Sequence, residues 1–217
     1  RDIMAIESMK DISMALNRSG RIDHNPVQSP LKSIIHDALV LVSGKTKVRT
    51  LTYDLTQDDE IWCHPSHIGQ VFTNLLSNAS DALEECYGSG GGNLKISTVS
   101  YRYDDEPGLM VTVEDDGPGV PESIREKILQ PFFTTKAAGV GTGLGLAISS
   151  RIIKAHGGSI SIGQSEQFGG ASFSIWLPID FRAKAGLETD TTAATPPERP
   201  HGRPQASVPR PLRSPAE

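Results

Sequence analysis

A chain of 217 residues with a 37% hydrophobic fraction can bury one sizeable core, and its formal charge of -5 offers no basic footprint for nucleic acid. Cys63 and Cys86 stand in neither a metal-ligand spacing nor a CxxC pair, so they read as buried or half-buried thiols of a reducing compartment. No run approaches the roughly eighteen apolar residues of a membrane span, and no signal peptide is apparent. The expected location is cytoplasmic, and any membrane anchor would belong to a part of the parent protein outside this sequence.

Residues 1–18 carry Ile3, Ile6, Met9, Ile12 and Leu16 at helical steps, a single stripe too short to fold alone. RIDHNPVQSP, with two prolines, reads as a linker or an edge segment. Leu31, Ile34, Ile35, Ala38, Leu39 and Val42 mark a second amphipathic helix that Gly44 closes. The period then changes to two: KVRTLTYDL and EIWCH read as strands around QDDE. Pro65 opens a long helix that a Gly-rich tract at 88–92 ends. Two alternating strands follow, NLKISTVSYRY and GLMVTVED, joined by a turn through Asp104–Pro107. PESIREKILQ reads as a short helix, and residues 131–143 as a loop. LGLAISSRIIKAHGG is a helix with a glycine C-cap, and SISIGQS and GASFSIWLPI form a hairpin. After about Phe181 the apolar pattern gives way to a proline-rich tail, expected to be disordered. Irregular alternation of strands and helices predicts a two-layer α/β sandwich, a mixed sheet with helices on one face.

The long helix carries a second line beside its leucines: Gln70, Asn74, Asn78 and Asp81, at steps of four, four and three. An unsatisfied buried amide costs about 1–3 kcal/mol, so that row needs a partner. Three further stretches hold chemistry. DDGPG (115–119) ends a strand: Asp115 is either a turn-former or an acceptor for an exocyclic amine such as that of adenine, and Gly117 and Gly119 are at the least φ-permissive. PFFTTK spans 131–136. GVGTGLGL (139–146) has neither the dinucleotide fingerprint nor a P-loop lysine. Glycines feeding a helix N-terminus let backbone N–H groups approach a phosphate, although a hinge loop has the same composition. Asn78 is either a helix amide capping a loop or a neutral oxygen ligand for a Mg²⁺ ion already held by a triphosphate.

Together and in this order, QVFTNLLSNASDAL, DDGPG, PFFTTK and GVGTGLGL resemble the N, G1, F and G2 boxes of the catalytic ATP-binding domain of sensor histidine kinases, over about residues 28–180. The resemblance implies the Bergerat ATP-binding fold at 23–182, preceded at 1–22 by the end of a dimerisation and phosphoacceptor hairpin and followed by the tail at 183–217. It implies Mg²⁺ on Asn78, with Asn74 supporting the polyphosphate and Asp81 on the same edge of the cavity. Asp115 should read the adenine amine, with Gly117 and Gly119 leaving room for the ring. Phe132, Phe133, Thr134, Thr135 and Lys136 should lie on a lid, Lys136 near phosphate, and Gly141, Thr142, Gly143, Leu144 and Gly145 should close over the phosphates. In hydrolysing relatives the position of Asn74 is typically a glutamate base; an amide cannot take a proton at neutral pH, so ATP should be held for a better nucleophile.

That nucleophile is expected to be a histidine on a helix before Arg1. His24, His36, His64, His67, His156 and His201 are better explained structurally, His36 because the Asn-Pro usual after an H box is missing. The implied activity is a protein-histidine kinase of a two-component system, homodimeric in the parent protein, passing phosphate to a response-regulator receiver domain. Its rivals are a nucleotide-binding interaction module without transfer activity and a serine kinase of the anti-sigma type. Ala171, where many relatives have Thr, removes a hydroxyl near the nucleotide.

Overall fold

Two periodicities in the sequence become two layers. The computed structural model describes residues 25–44, 48, 50–55, 60–88, 90–136, 141–182 and 186. The helix expected at 1–18, His24, His201 and, Gly186 apart, the tail at 183–217 lie outside the described residues. The chain enters through strand β1 (Val27–Pro30), which runs directly into helix α1 (Leu31–Val42). Strands β2 (Thr50–Asp54) and β3 (Glu60–Cys63) precede helix α2 (Pro65–Tyr87), which Pro65 opens and Gly88 caps with φ +69°. Strands β4 (Asn93–Tyr103) and β5 (Glu106–Asp115) form a hairpin. Helix α3 (Gly145–Ala155) and the hairpin of β6 (Ser159–Gln164) and β7 (Ala171–Pro178) complete the domain.

The main sheet has the order β2-β4-β5-β7-β6, with β2 parallel to β4 and every other pair antiparallel. Strand alternation sends Leu94 and Ile96 of β4, Leu109, Val111 and Val113 of β5, and Phe173, Ile175 and Leu177 of β7 to one face. The helices cover that face. Val71, Phe72, Leu75, Leu76 and Leu83 of α2 are buried there, and α2 also packs on α1 and α3. Fully burying a side chain of this size stabilises the fold by roughly 1.5–3 kcal/mol, which explains why a helix with a polar edge still holds the centre.

Two local expectations change, and one open alternative is decided. RIDHNPVQSP contains a true edge strand: β1 pairs antiparallel with β3, Val27 opposite Cys63. PESIREKILQ is not an α-helix but two 3₁₀ turns, Glu122–Ile124 and Lys127–Leu129. Its apolar residues are only half-buried, and so short a segment gains too little from packing to offset helix nucleation. The β4–β5 turn is the two-residue loop Asp104-Asp105, both residues at positive φ (51° and 62°), as the twist of a tight hairpin requires. Cys63 is buried as expected but Cys86 is exposed, and both are free.

At the corner where β3 meets α2, three histidines that the sequence scatters come together. The His64 backbone N–H donates to Nε2 of His156 (3.1 Å), and His156 Nδ1 donates to the Ile152 carbonyl (2.8 Å). The His67 ring lies 5.2 Å from that of His64, so His67 is half-buried rather than a surface residue. Phe181 stacks 4.7 Å from His156. Burial pushes His156 down to about 4; the Ile152 carbonyl opposes this, and His64 and His67 reinforce it. Next to this corner the Trp62 backbone N–H donates to the Ile179 carbonyl (2.8 Å), and the Arg182 guanidinium lies 3.3 Å over the Trp62 ring while pairing with Asp180. His36 stays exposed on α1.

Candidate nucleotide-binding site

The helix-facing alternation of β5 ends on Asp115, so a carboxylate follows Leu109, Val111 and Val113 into the layer between sheet and helices. It is only 2% exposed. One oxygen, Oδ1, accepts backbone N–H groups from Gly117 (3.0 Å) and Ala171 (3.1 Å). The other oxygen takes no hydrogen bond from the described residues. Burial raises the Asp115 carboxyl, the two N–H groups oppose that rise, and the neighbouring Asp116 adds to it. A buried carboxylate with one oxygen fixed and the other uncommitted is an acceptor awaiting a donor.

Small residues clear the ground around it. A Cβ on Gly117 would stand 3.0 Å from Asp115 Oδ1 and 3.2 Å from Ala82 Cβ, and one on Gly170 would stand 2.3 Å from the Asp115 carbonyl oxygen. Gly119 has φ +73° and lies against the Gly169–Gly170 backbone. The loop is braced from below: Asp116 accepts from Asn93 N (2.7 Å) and from the Asn93 amide (2.5 Å), and Tyr87 donates to the Asp116 carbonyl (3.1 Å).

The polar edge of α2 faces the loops across the layer. Asn74 has found a protein partner: its Nδ2 donates to the Gly145 carbonyl (3.0 Å) and to Ser149 Oγ (3.1 Å), which holds the first turn of α3 against α2. Asn78, one turn on, is half-buried and makes no side-chain hydrogen bond to the described residues. Asp81 accepts from Lys136 Nζ. Lys136 therefore reaches back to α2.

PFFTTK and residues 141–145 of the glycine loop pack on one another. The Phe132 N–H donates to the Gly143 carbonyl (2.9 Å), and Phe132 itself has φ +67° and is exposed. Gly143 has φ +64°, and a Cβ there would meet the Phe132 backbone at 2.6 Å. A Cβ on Gly141 would meet Thr134 Oγ1 at 2.5 Å, and Thr134 accepts the Lys136 N–H (3.2 Å). Phe133 is half-buried, and Thr135 is an exposed residue of the same turn. Thr142 Oγ1 stands 3.4 Å from the Leu144 N–H, and α3 begins with no side-chain N-cap. Its first N–H groups are those an anion would use.

The fold thus gathers Asn74, Asn78, Asp81, Asp115, Gly117, Gly119 and the 132–136 and 141–145 segments around one site. Sequence reasoning missed Gly170 and Asn93, and it read Ala171 through its side chain although its backbone N–H is what touches Asp115. The paired glycines ahead of Ala171 were the available signal.

A mixed sheet covered on one face by three helices, with this carboxylate and these loops at its edge, defines an ATPase-type nucleotide-binding domain. The family described as histidine kinase-, DNA gyrase B- and HSP90-like ATPase matches residues 63–180, and the chain belongs to it. The chain is 35% identical over 179 residues to the signal transduction histidine-protein kinase AtoS of Escherichia coli (strain K12), covering 81% of this chain and 28% of the relative. It is 34% identical over 157 residues to the sensor histidine kinase ZraS of the same organism, covering 71% and 31%. Among solved structures, the catalytic domain of histidine kinase ThkA superposes with a TM-score of 0.60 at 31% identity, covering 72% of this chain and 97% of that one. The chain therefore spans under a third of these curated relatives but nearly all of a catalytic domain. No helix among the described residues is long and apolar enough to cross a membrane.

Proposed function

We propose that this chain is the ATP-binding catalytic module of a two-component histidine kinase, transferring the γ-phosphoryl of ATP to a histidine on a helical hairpin outside residues 25–182, for relay to a receiver-domain aspartate. Asp115 carries the reading. Its fixed Oδ1 orients the carboxylate, and its uncommitted oxygen suits the exocyclic amine of adenine, while Gly117, Gly119 and Gly170 leave space for a flat ring. Phosphates would then extend along α2 towards the uncapped start of α3, where Gly141, Thr142, Gly143, Leu144 and Gly145 offer backbone N–H groups.

The donor set also fits Mg²⁺. Asn78 presents a neutral amide oxygen with no competing bond to the described residues, and no group of three or more His, Cys, Asp or Glu among those residues could hold a metal alone. An ion on Asn78 would take its other ligands from phosphate and water, and would neutralise charge on the transferring group. Asn74 cannot serve as a base, and its amide is occupied in positioning α3. Catalysis by this chain is then orientation of the γ-phosphoryl for an incoming imidazole, with water left unactivated.

The test mixes the full chain, radiolabelled ATP and a separately made hairpin bearing the acceptor histidine. Transfer should occur with the wild type and be lost in Asn78→Ala. Transfer that survives in Asn78→Ala removes the metal assignment, and failure of the wild-type chain to bind ATP removes the whole reading.

A further inference from the structure

The outer face of the sheet, away from the helices, carries an aromatic patch for which the nucleotide site has no use. Val99, Tyr101 and Tyr103 follow one another at strand period on β4 and are 54%, 46% and 54% exposed. Met110 of β5 pairs with Val99 on one side and with Trp176 of β7 on the other, so the patch runs across three strands. Trp176 forms its floor: its ring lies 5.3 Å from Tyr103, its Nε1–H donates to the Tyr101 carbonyl (3.3 Å), and it passes so close over Gly108 that a Cβ there would stand 2.4 Å from Nε1. β2 stops at Asp54 opposite Ser97, short of the hairpin end where Tyr101 and Tyr103 stand. The tip is acidic, with Asp104 and Asp105 exposed and Glu106 half-buried.

The sequence holds a matching segment. Residues 199–213, RPHGRPQASVPRPLR, contain Arg199, Arg203, Arg210 and Arg213 with no acidic residue among them, and Pro200, Pro204, Pro209 and Pro211. Proline-rich chain is biased to the polyproline II helix and docks on rows of exposed aromatics at little entropic cost. The geometry permits it in cis. Ile179 N–H donates to the Pro107 carbonyl (3.1 Å), so β7 delivers the chain to the hairpin end of the sheet. Residues 183–198 separate this exit from the segment, and sixteen residues of linker reach on the order of 20 Å, comparable with the roughly 15 Å radius of gyration of a domain this size. Tethering at that length raises the local concentration of the segment to the millimolar range, where weak docking suffices.

We propose that the basic, proline-rich segment 199–213 docks on the aromatic outer face at the β4–β5 hairpin of its own chain. Prolines lie against Tyr101 and Tyr103, and arginines face Asp104, Asp105 and Glu106. The hairpin tip and Asp115 stand at opposite ends of β5, so the docked segment leaves the nucleotide site open.

The experiment uses the full 217-residue chain with the photocrosslinker p-benzoylphenylalanine in place of Val99, mapped by mass spectrometry after irradiation. The expected result is an intrachain link to a peptide within 199–213, with a yield independent of protein concentration. That yield should fall about fivefold or more at 0.5 M salt, because exposed charge pairs are screened. It should fall equally in Asp104→Asn/Asp105→Asn, a pair chosen because Asn tolerates positive φ, and in Arg199→Gln/Arg203→Gln/Arg210→Gln/Arg213→Gln. Melting temperature and ATP affinity should stay at wild-type values in both variants. Links formed only between chains, links only to other segments, no link at all, or a yield indifferent to both charge-removing variants would overturn the proposal.

Discussion

At the scale of single residues, two buried ionisable groups do opposite work. On the proposed reading Asp115 is kept for a ligand: its carboxylate sits in the core layer with one oxygen satisfied, and the other takes no hydrogen bond from the described residues. Asp115→Asn keeps the shape but must turn an NH₂ either towards the Gly117 and Ala171 N–H groups or towards the ligand. ATP affinity should weaken by about 1.5–3 kcal/mol, roughly 10- to 100-fold in Kd, measured by titration calorimetry, with little change in melting temperature. His156 serves the fold. Both ring nitrogens are committed, Nε2 as an acceptor, so the neutral ring is the native form. Its folded pKa of about 4 lies below the unfolded 6.5. The stability it contributes is complete above pH 6.5 and is lost as pH falls towards 4. Denaturant titrations should therefore show unfolding free energy dropping by about 2 kcal/mol between pH 7 and pH 5, and His156→Asn should flatten that dependence.

At the scale of elements, the site is a set of loops clipped to one helix. α2 supplies the clips: Asn74 holds the start of α3 and Asp81 holds the end of PFFTTK through Lys136. The second clip is solvent-accessible, its side chains 35% and 43% exposed, and an ion pair of that kind contributes at most about 1 kcal/mol to stability. Lys136→Met should accordingly leave the melting temperature within about 3 °C of wild type while reducing ATP affinity, because the lysine links the lid to the helix edge that carries Asn78. The helices and main strands could be read from periodicity, since strong 3.6 and 2.0 patterns ran through them. So could the stretches that meet at the candidate site, because glycines and amides in a fixed order are a local signal. The bonds that assemble it could not. Asn74 to Gly145 spans 71 residues and Lys136 to Asp81 spans 55, and nothing in the spacing of either pair says which amide is occupied and which is free. The two 3₁₀ turns at 122–129 were misread for the same reason, since half-burial rather than propensity decided them.

At the scale of the whole molecule, the two ends of the sheet are specialised differently. One carries Asp115 and the glycine loops; the other carries the β4–β5 hairpin and Trp176. Gly108 makes room at that second end, because a Cβ there would stand 2.4 Å from the indole Nε1 of Trp176. Gly108→Ala should displace Trp176 and cost about 1–3 kcal/mol by overpacking, seen as a lower denaturant midpoint and a changed tryptophan fluorescence maximum, while ATP binding is retained. The direct passage of β1 into α1 has a mechanical consequence. A slack leader would let anything upstream turn freely; here the entering chain is splinted, laced to β3 and followed at once by a helix sunk in the core. The exit is fastened to the same bracket, through Trp62 to Ile179 and Arg182. A twist or pull arriving at Val27 is thus expected to be handed to β3 and α1 together, with Trp62 joining the entering chain to the leaving one.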